Sequence, residues 1–170
     1  MDLKNYIRSI KDFPKPGINF IDITTLIIEP ESFRESVDLL VKSAENLGIT
    51  KVAAIDSRGF IFGAAAAYIL NVGFVPIRKK GKLPYKTISE SYTLEYGTNT
   101  IEIHTDAFEK GDKVFLIDDL LATGGTIEAA CKLIEKSGAE IKKIGFVVEL
   151  SFLDGRKKIT GYDVISLVTY

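Results

Sequence analysis

The sequence predicts an α/β fold: a doubly wound, mostly parallel sheet flanked by helices. Three observations carry that expectation. Short apolar runs such as VFLI at 114–117 have the unbroken character of strands buried on both faces. Stretches with helical spacing separate these runs, and strands alternating with helices build parallel sheets. Glycines close the helical stretches, which marks their ends.

The elements follow in order. Phe33, Val37, Leu40, Val41, Ala44 and Leu47 recur at helical intervals and stop at Gly48. KVAAID (51–56) then reads as a buried strand, GFIFGAAAAYIL (59–70) as a helix, and FVPIR (74–78) as the next strand. From about 81 to 100 the chain is polar and turn-rich, and a loop of that length in a compact domain is expected to be a lid or binding loop. The run VFLI ends at Asp118 and Asp119, where the chain is expected to leave the core. A third helix starts at Thr126, carries Ile127, Ala130, Cys131 and Ile134 on one stripe, and ends at Gly138. IGFVVEL (144–150) and DVISLV (163–168) supply two further strands. At 170 residues and 46% hydrophobic content, with no internal repeat, the chain is expected to form one domain over 1–170.

A formal net charge of −1 argues against a nucleic-acid surface spread over the whole fold. The single cysteine, Cys131, cannot form an internal disulfide and falls on an apolar stripe, so a buried thiol in a reducing compartment is expected. The most apolar helix, 59–70, is shorter than the roughly 20 residues of a membrane span, and the first residues hold no signal-peptide core. A cytoplasmic protein is the expectation.

Ligands of doubly wound sheets sit beyond the carboxyl ends of the strands, so the strand exits carry the chemistry. Ala122, Thr123, Gly124, Gly125 and Thr126 offer consecutive backbone N–H groups at a helix N-terminus without a bulky side chain, an anion cradle. No GxxxxGK[ST] or GxGxxG is present, which points to a terminal monophosphate. Asp118 and Asp119 are acceptors suited to sugar hydroxyls, so acids beside the cradle suggest a ribose 5-phosphate. A Gly-Gly turn or a capping Asp is commonplace alone; the combination is far more specific. Arg58, after KVAAID, has a planar fork suited to pyrophosphate, and Ser57 and Gly59 beside it are small. Arg78, Lys79 and Lys82 follow the next strand, where an arriving polyanion would relieve their mutual repulsion; Lys80 reads as solvated. Phe20 offers an aromatic face near FPKPG, with core packing nearly as good an account. His104, the only histidine, reads as the outer face of a strand and receives no catalytic role.

DDLLATGGT resembles the phosphoribosyl-pyrophosphate motif of the phosphoribosyltransferases, and its LLATGGT form is similar to the adenine branch. FPKPGINFIDIT (13–24), DSRGF (56–60), IRKKGKLP (77–84) and LEYGTNTIEIH (94–104) resemble that branch in the same order, so the likeness spans nearly the whole chain. It implies a type I phosphoribosyltransferase-like sheet and conversion of adenine and phosphoribosyl pyrophosphate, with Mg²⁺ bound mainly through the substrate, into AMP and pyrophosphate by a homodimer in purine salvage. It further implies a base-binding segment over about 1–25, with backbone groups of Asn19 and Ile21 beside Phe20 reading adenine. A basic residue commonly follows that Phe; Ile21 stands here, so any polar contact from the side chain is missing. The resemblance places a glutamate in the lid, making Glu95, next to Tyr96, the candidate general acid/base, with Arg58 as its catalytic companion. A transferase for a 6-oxopurine and a non-catalytic sensor of phosphoribosyl pyrophosphate remain as alternatives, although the sensor would need a nucleic-acid-binding segment or basic face that this sequence lacks.

Overall fold

Five apolar runs read from the sequence form the parallel part of a seven-stranded sheet. The computed structural model describes residues 1–93 and 97–170. In chain order these contain β1 (Arg8–Lys11), β2 (Asn19–Asp22), α1 (Thr24–Ile28), α2 (Pro30–Ser43), β3 (Lys51–Ile55), α3 (Gly59–Leu70), β4 (Gly73–Lys79), β5 (Thr87–Thr93), β6 (Thr98–His104), β7 (Lys113–Leu121), α4 (Gly125–Lys136), β8 (Glu140–Glu149) and β9 (Val164–Thr169). The large sheet runs β5-β6-β4-β3-β7-β8-β9; β4-β3-β7-β8-β9 are mutually parallel, and β5 and β6 are antiparallel additions at one edge.

The continuous apolar runs are explained by two cores, one on each face. Val114 and Leu116 of β7 pack with Ile127, Leu133 and Ile134 of α4, whereas their neighbours Phe115 and Ile117 pack with Leu40 of α2 and Phe62 of α3. Period-2 alternation sends successive side chains to opposite faces, and with both faces covered no position is left for a polar residue. Each fully buried large side chain contributes about 1.5–3 kcal/mol. Cys131 is buried in the α4 core, and burial pushes its thiol up to about 12, as an inert packing residue requires.

Three boundaries differ from the sequence reading. The helix read over 33–47 starts earlier, with Pro30 in its first turn, and closes at Ser43. Strand β7 does not end at Ile117: it runs through both aspartates to Leu121, because Asp118, Leu120 and Leu121 pair with Phe146, Val148 and Glu149 of β8. Half of the 81–100 stretch is strand. Residues Thr87–Thr93 and Thr98–His104 pair antiparallel, and the Ile88, Glu90, Tyr92 face of β5 is turned toward α4: Ile88 and Tyr92 pack on its core, and Glu90 pairs with Lys136. The polar composition hid a two-residue alternation.

The N-terminal ribbon β1–β2 was also not read as strands. It is held by Arg8, whose Nε and Nη2 donate to Asp22 Oδ2 at 3.0 and 2.6 Å. Hydrogen bonding from Thr24 first, and from Arg8 second, holds the Asp22 carboxyl down to about 2.

Candidate active site

The sheet reverses its winding beside β3: the chain moves outward to β4 on one side and later returns to β7 on the other. Their carboxyl ends therefore diverge into a crevice. A cavity of about 480 Å³ opens there, lined by Asp56, Ser57 and Arg58 after β3, Lys79 at the end of β4, Asp118 and Asp119 in β7, Thr126 in α4, and Tyr92 and Asn99 from the antiparallel arm. Tyr92 and Asn99 are cross-strand partners, so one register position delivers both.

Beside it lies a hollow of about 80 Å³ whose walls are Asp118 and the entire segment 120–127. Gly124, at φ +81, is the N-cap of α4, and among the described residues no side chain caps that helix. The first-turn N–H groups of α4 are thus left for a ligand, with the positive end of the helix dipole behind them. The bend cannot take a larger residue: a Cβ on Gly124 would lie 2.5 Å from the Gly155 carbonyl oxygen, and one on Gly155 would lie 2.3 Å from that of Ala122. Gly155 thus packs its backbone directly against the bend that carries the hollow, which no sequence motif announced.

The acids are in unequal environments. Gly59, the first residue of α3, is so close that a Cβ there would lie 2.8 Å from Asp118 Oδ1. Desolvation first, and the neighbouring Asp119 carboxylate second, push the Asp118 carboxyl well above the usual carboxylate range. Asp118 Oδ1 accepts the Asp119 backbone N–H at 2.8 Å. Asp119 is buried, and Arg58 Nε stands 2.6 Å from its Oδ2 at an angle outside hydrogen-bond geometry, so the contact is an ion pair, and among the described residues Oδ2 has no hydrogen-bond partner.

The structure thus brings together Ser57, Arg58, Lys79, Asp118, Asp119 and the 122–126 loop. Other expected residues are placed differently. Arg78 is not itself part of the cavity lining: its Nε donates to Asp56 Oδ2 at 3.0 Å and its Nη1 to the Lys82 carbonyl at 3.2 Å. Lys82 itself is exposed and does not line the cavity. Asn19, Phe20 and Ile21 lie on β2 outside that lining; Phe20 is half-buried with its ring edge-on to Phe13, at 5.3 Å between centroids. Ile21 points the other way, into the core with Leu3 and Leu26, so an apolar residue there is a packing requirement. Glu95 and Tyr96 lie outside the described residues.

Sequence reasoning missed Asp56, Tyr92, Asn99, Gly155 and Glu102. Buried Glu102 accepts the backbone N–H groups of Gly81 and Leu83 at 3.0 and 3.4 Å, which fixes the loop after β4. The apolar alternation of Ile101 and Ile103 around it was the available signal.

The family model described as phosphoribosyl transferase domain matches residues 23–168. The adenine phosphoribosyltransferase of Carboxydothermus hydrogenoformans is 58% identical over 170 residues, with 100% of each chain covered. The crystal structure of adenine phosphoribosyltransferase from Thermoanaerobacter pseudethanolicus superposes with a TM-score of 0.95 at 52% identity, covering 99% of this chain and 98% of that one. The Saccharomyces cerevisiae adenine phosphoribosyltransferase, complexed with D-2,5-dideoxy-2,5-imino-altritol 1,6-bisphosphate and adenine, has a TM-score of 0.91 at 37% identity, covering 97% of this chain and 96% of that one.

Proposed function

Because this chain belongs to the phosphoribosyltransferase family, we infer that it transfers the 5-phosphoribosyl group of phosphoribosyl pyrophosphate to adenine, releasing AMP and pyrophosphate in purine salvage. One observation carries the reading beyond family likeness: an uncapped helix N-terminus in a small-residue bend stands beside two adjacent carboxyls, across one cavity from Arg58 and Lys79. That order fits a 5-phosphate, a ribose and a pyrophosphate in sequence.

Each residue has a task. The N–H groups of 123–126 and the Thr126 hydroxyl hold the 5-phosphate. Asp118 and Asp119 accept from the ribose hydroxyls, and their charge favours the oxocarbenium-like ribose that forms as the C1–pyrophosphate bond breaks. Arg58, Ser57 and Lys79 receive the leaving pyrophosphate. Arg78 acts through Asp56 and Lys82, shaping the loops that carry these groups. Glu95 takes the purine proton, with Tyr96 beside it in the lid, and the backbone of Asn19 and Ile21 reads adenine stacked near Phe20.

Mg²⁺ fits as an ion carried by the substrate. Among the described residues no three His, Cys, Asp or Glu converge on a point, whereas Mg²⁺ commonly takes one or two carboxylates and fills its shell with phosphates and water. Asp118 and Asp119 would hold it, and it would screen the pyrophosphate charge. Among the described residues no helix is long and apolar enough to cross a membrane, and the buried lone thiol suits the reducing cytoplasm. Helix α3 supports a homodimer: it carries no charge, and Ile61, Tyr68 and Ile69 are exposed on one stripe.

The test is incubation with phosphoribosyl pyrophosphate, Mg²⁺ and adenine, hypoxanthine, guanine or xanthine in turn. Nucleotide from adenine alone is expected. Nucleotide from a 6-oxopurine and none from adenine would overturn the base assignment.

A further inference from the structure

The Gly155 backbone, packed against the bend at Gly124, hangs on one ion pair that lies outside the cavity. Gly155 begins a short 3-10 turn over Gly155–Ile159, and the next residue is Arg156. The Arg156 Nε donates to Glu149 Oε1 and Oε2 at 2.9 and 3.1 Å, and Nη2 donates to Oε2 at 2.7 Å. The same guanidinium donates from Nη1 to the Val164 carbonyl at 3.2 Å and from Nη2 to Ser166 Oγ at 3.1 Å. One side chain therefore fastens the turn to both β8 and β9. The anchor is stiff on the other side too: Glu149 is buried, sits opposite Leu121 in the sheet, and is followed by Leu150, whose N–H donates to the Leu121 carbonyl at 2.9 Å. Leu121 is the residue that leads into the hollow. A closed circuit results, from Leu121 through Glu149 and Arg156 to Gly155, and back to Gly124 by backbone contact.

We propose that Glu149 and Arg156 are positioning residues for the 5-phosphate loop, holding Gly155 against Gly124 so that the N–H groups of 123–126 converge on one anion; this rests on the reading of that loop as the 5-phosphate site. A planar, multiply bonded guanidinium is suited to that duty because it fixes orientation as well as distance. Neither side chain lines the cavity or the hollow, so the expected signature is a selective loss of phosphate-bearing ligands. A pair serving stability alone would shift the melting temperature and leave the pattern of affinities unchanged.

Arg156→Lys keeps the charge and loses the fork; Glu149→Gln keeps the shape and loses the charge. In each, the KM for phosphoribosyl pyrophosphate and the Kd for AMP are expected to rise roughly ten- to a hundredfold, the cost of a small misplacement of binding groups, while the KM for adenine stays within about twofold. Lys51→Met serves as control, because Lys51 pairs with Asp112 at 3.2 Å at the opposite ends of the strands and should change stability without changing either constant. Gly125→Val tests the loop directly. If it loses AMP while folded Arg156→Lys and Glu149→Gln bind AMP as wild type does, the positioning role is overturned and the loop assignment stands. If all three bind AMP normally, both fall. Should Arg156→Lys not fold, Glu149→Gln decides.

Discussion

Arg58 Nε lies 2.6 Å from Asp119 Oδ2, which ties the exit of β3 to the interior of β7 across the floor of the cavity. Among the described residues the Arg58 side chain makes no hydrogen bond, so its Nη donors are left for pyrophosphate. Arg58→Lys keeps a cation for Asp119 but loses the fork. It should cost on the order of 1.5–3 kcal/mol in kcat/KM for phosphoribosyl pyrophosphate, with adenine binding little changed. Wild-type constants with that substrate varied would remove Arg58 from the site.

The two acids should part company when neutralised. Asp118→Asn and Asp119→Asn each lose charge-assisted contacts to ribose or to metal-linked groups, on the order of 1.5–3 kcal/mol for at least one of them. Their stabilities should move oppositely. Asp118 has a folded-state pKa above its ordinary 3.8, so the native state binds more protons and stability falls as pH rises from 3.8 through the raised value. Asp118→Asn removes that loss and should melt higher than wild type at neutral pH. Asp119→Asn leaves Arg58 without its partner and should melt lower. Thermal unfolding of ligand-free protein over a pH series separates them, and a lower melting temperature for Asp118→Asn would contradict the burial argument.

Much of the site was legible because chemistry and packing wrote it in the same letters. The run before Asp118 fits a doubly covered strand, and ATGGT, set between it and a stretch of helical spacing, fits a tight turn at a helix start. The β5–β6 arm was not legible, because TISESYT offers only Ile88 and Tyr92 to the core, and Glu90 between them on the same face is satisfied by an ion pair to Lys136. Continuation of β7 past Ile117 was hidden because acids are poor strand formers, and only pairing with β8 overrides that preference. Gly155 and Glu149 were invisible for another reason. Their meaning lies in contacts with the hollow and with Arg156, and no spacing rule connects those positions.

Gly125 tests the loop. A Cβ there would meet Tyr92 Cδ2 at 3.2 Å, so Gly125→Val pushes on the arm as well as on an arriving phosphate. Affinity for phosphoribosyl pyrophosphate and AMP should fall together, by on the order of 1.5–3 kcal/mol, and adenine affinity much less. Calorimetric titration with AMP and with adenine checks this. Equal losses for both would mean the arm, not the phosphate, was disturbed.

The N-terminal ribbon should register acid. Asp22, held down to about 2, contributes stability that is fully present above the ordinary 3.8 and is lost as pH falls toward about 2. Asp22→Asn removes that contribution, so the gap in melting temperature between wild type and variant should close over that window. Because the ribbon carries Asn19 and Phe20, the variant should also raise the KM for adenine more than that for phosphoribosyl pyrophosphate. A gap independent of pH would show that the Arg8–Asp22 pair does not hold the ribbon.

The proton on the purine is the remaining chemical demand, and Glu95 is its proposed acceptor. Glu95→Gln keeps length and hydrogen-bonding capacity and removes basicity, so the chemical step should slow by roughly 10² to 10⁴ while ground-state affinities for adenine and phosphoribosyl pyrophosphate barely move. Steady-state turnover would blur the result, since product release often limits enzymes that close over their substrates. Single-turnover formation of AMP with enzyme in excess isolates the step. A wild-type rate there would transfer the proton to water, to a backbone carbonyl or to the departing pyrophosphate. It would leave the transferase reading intact, because that reading stands on Arg58, the two aspartates and the uncapped start of α4, none of which depends on this acid.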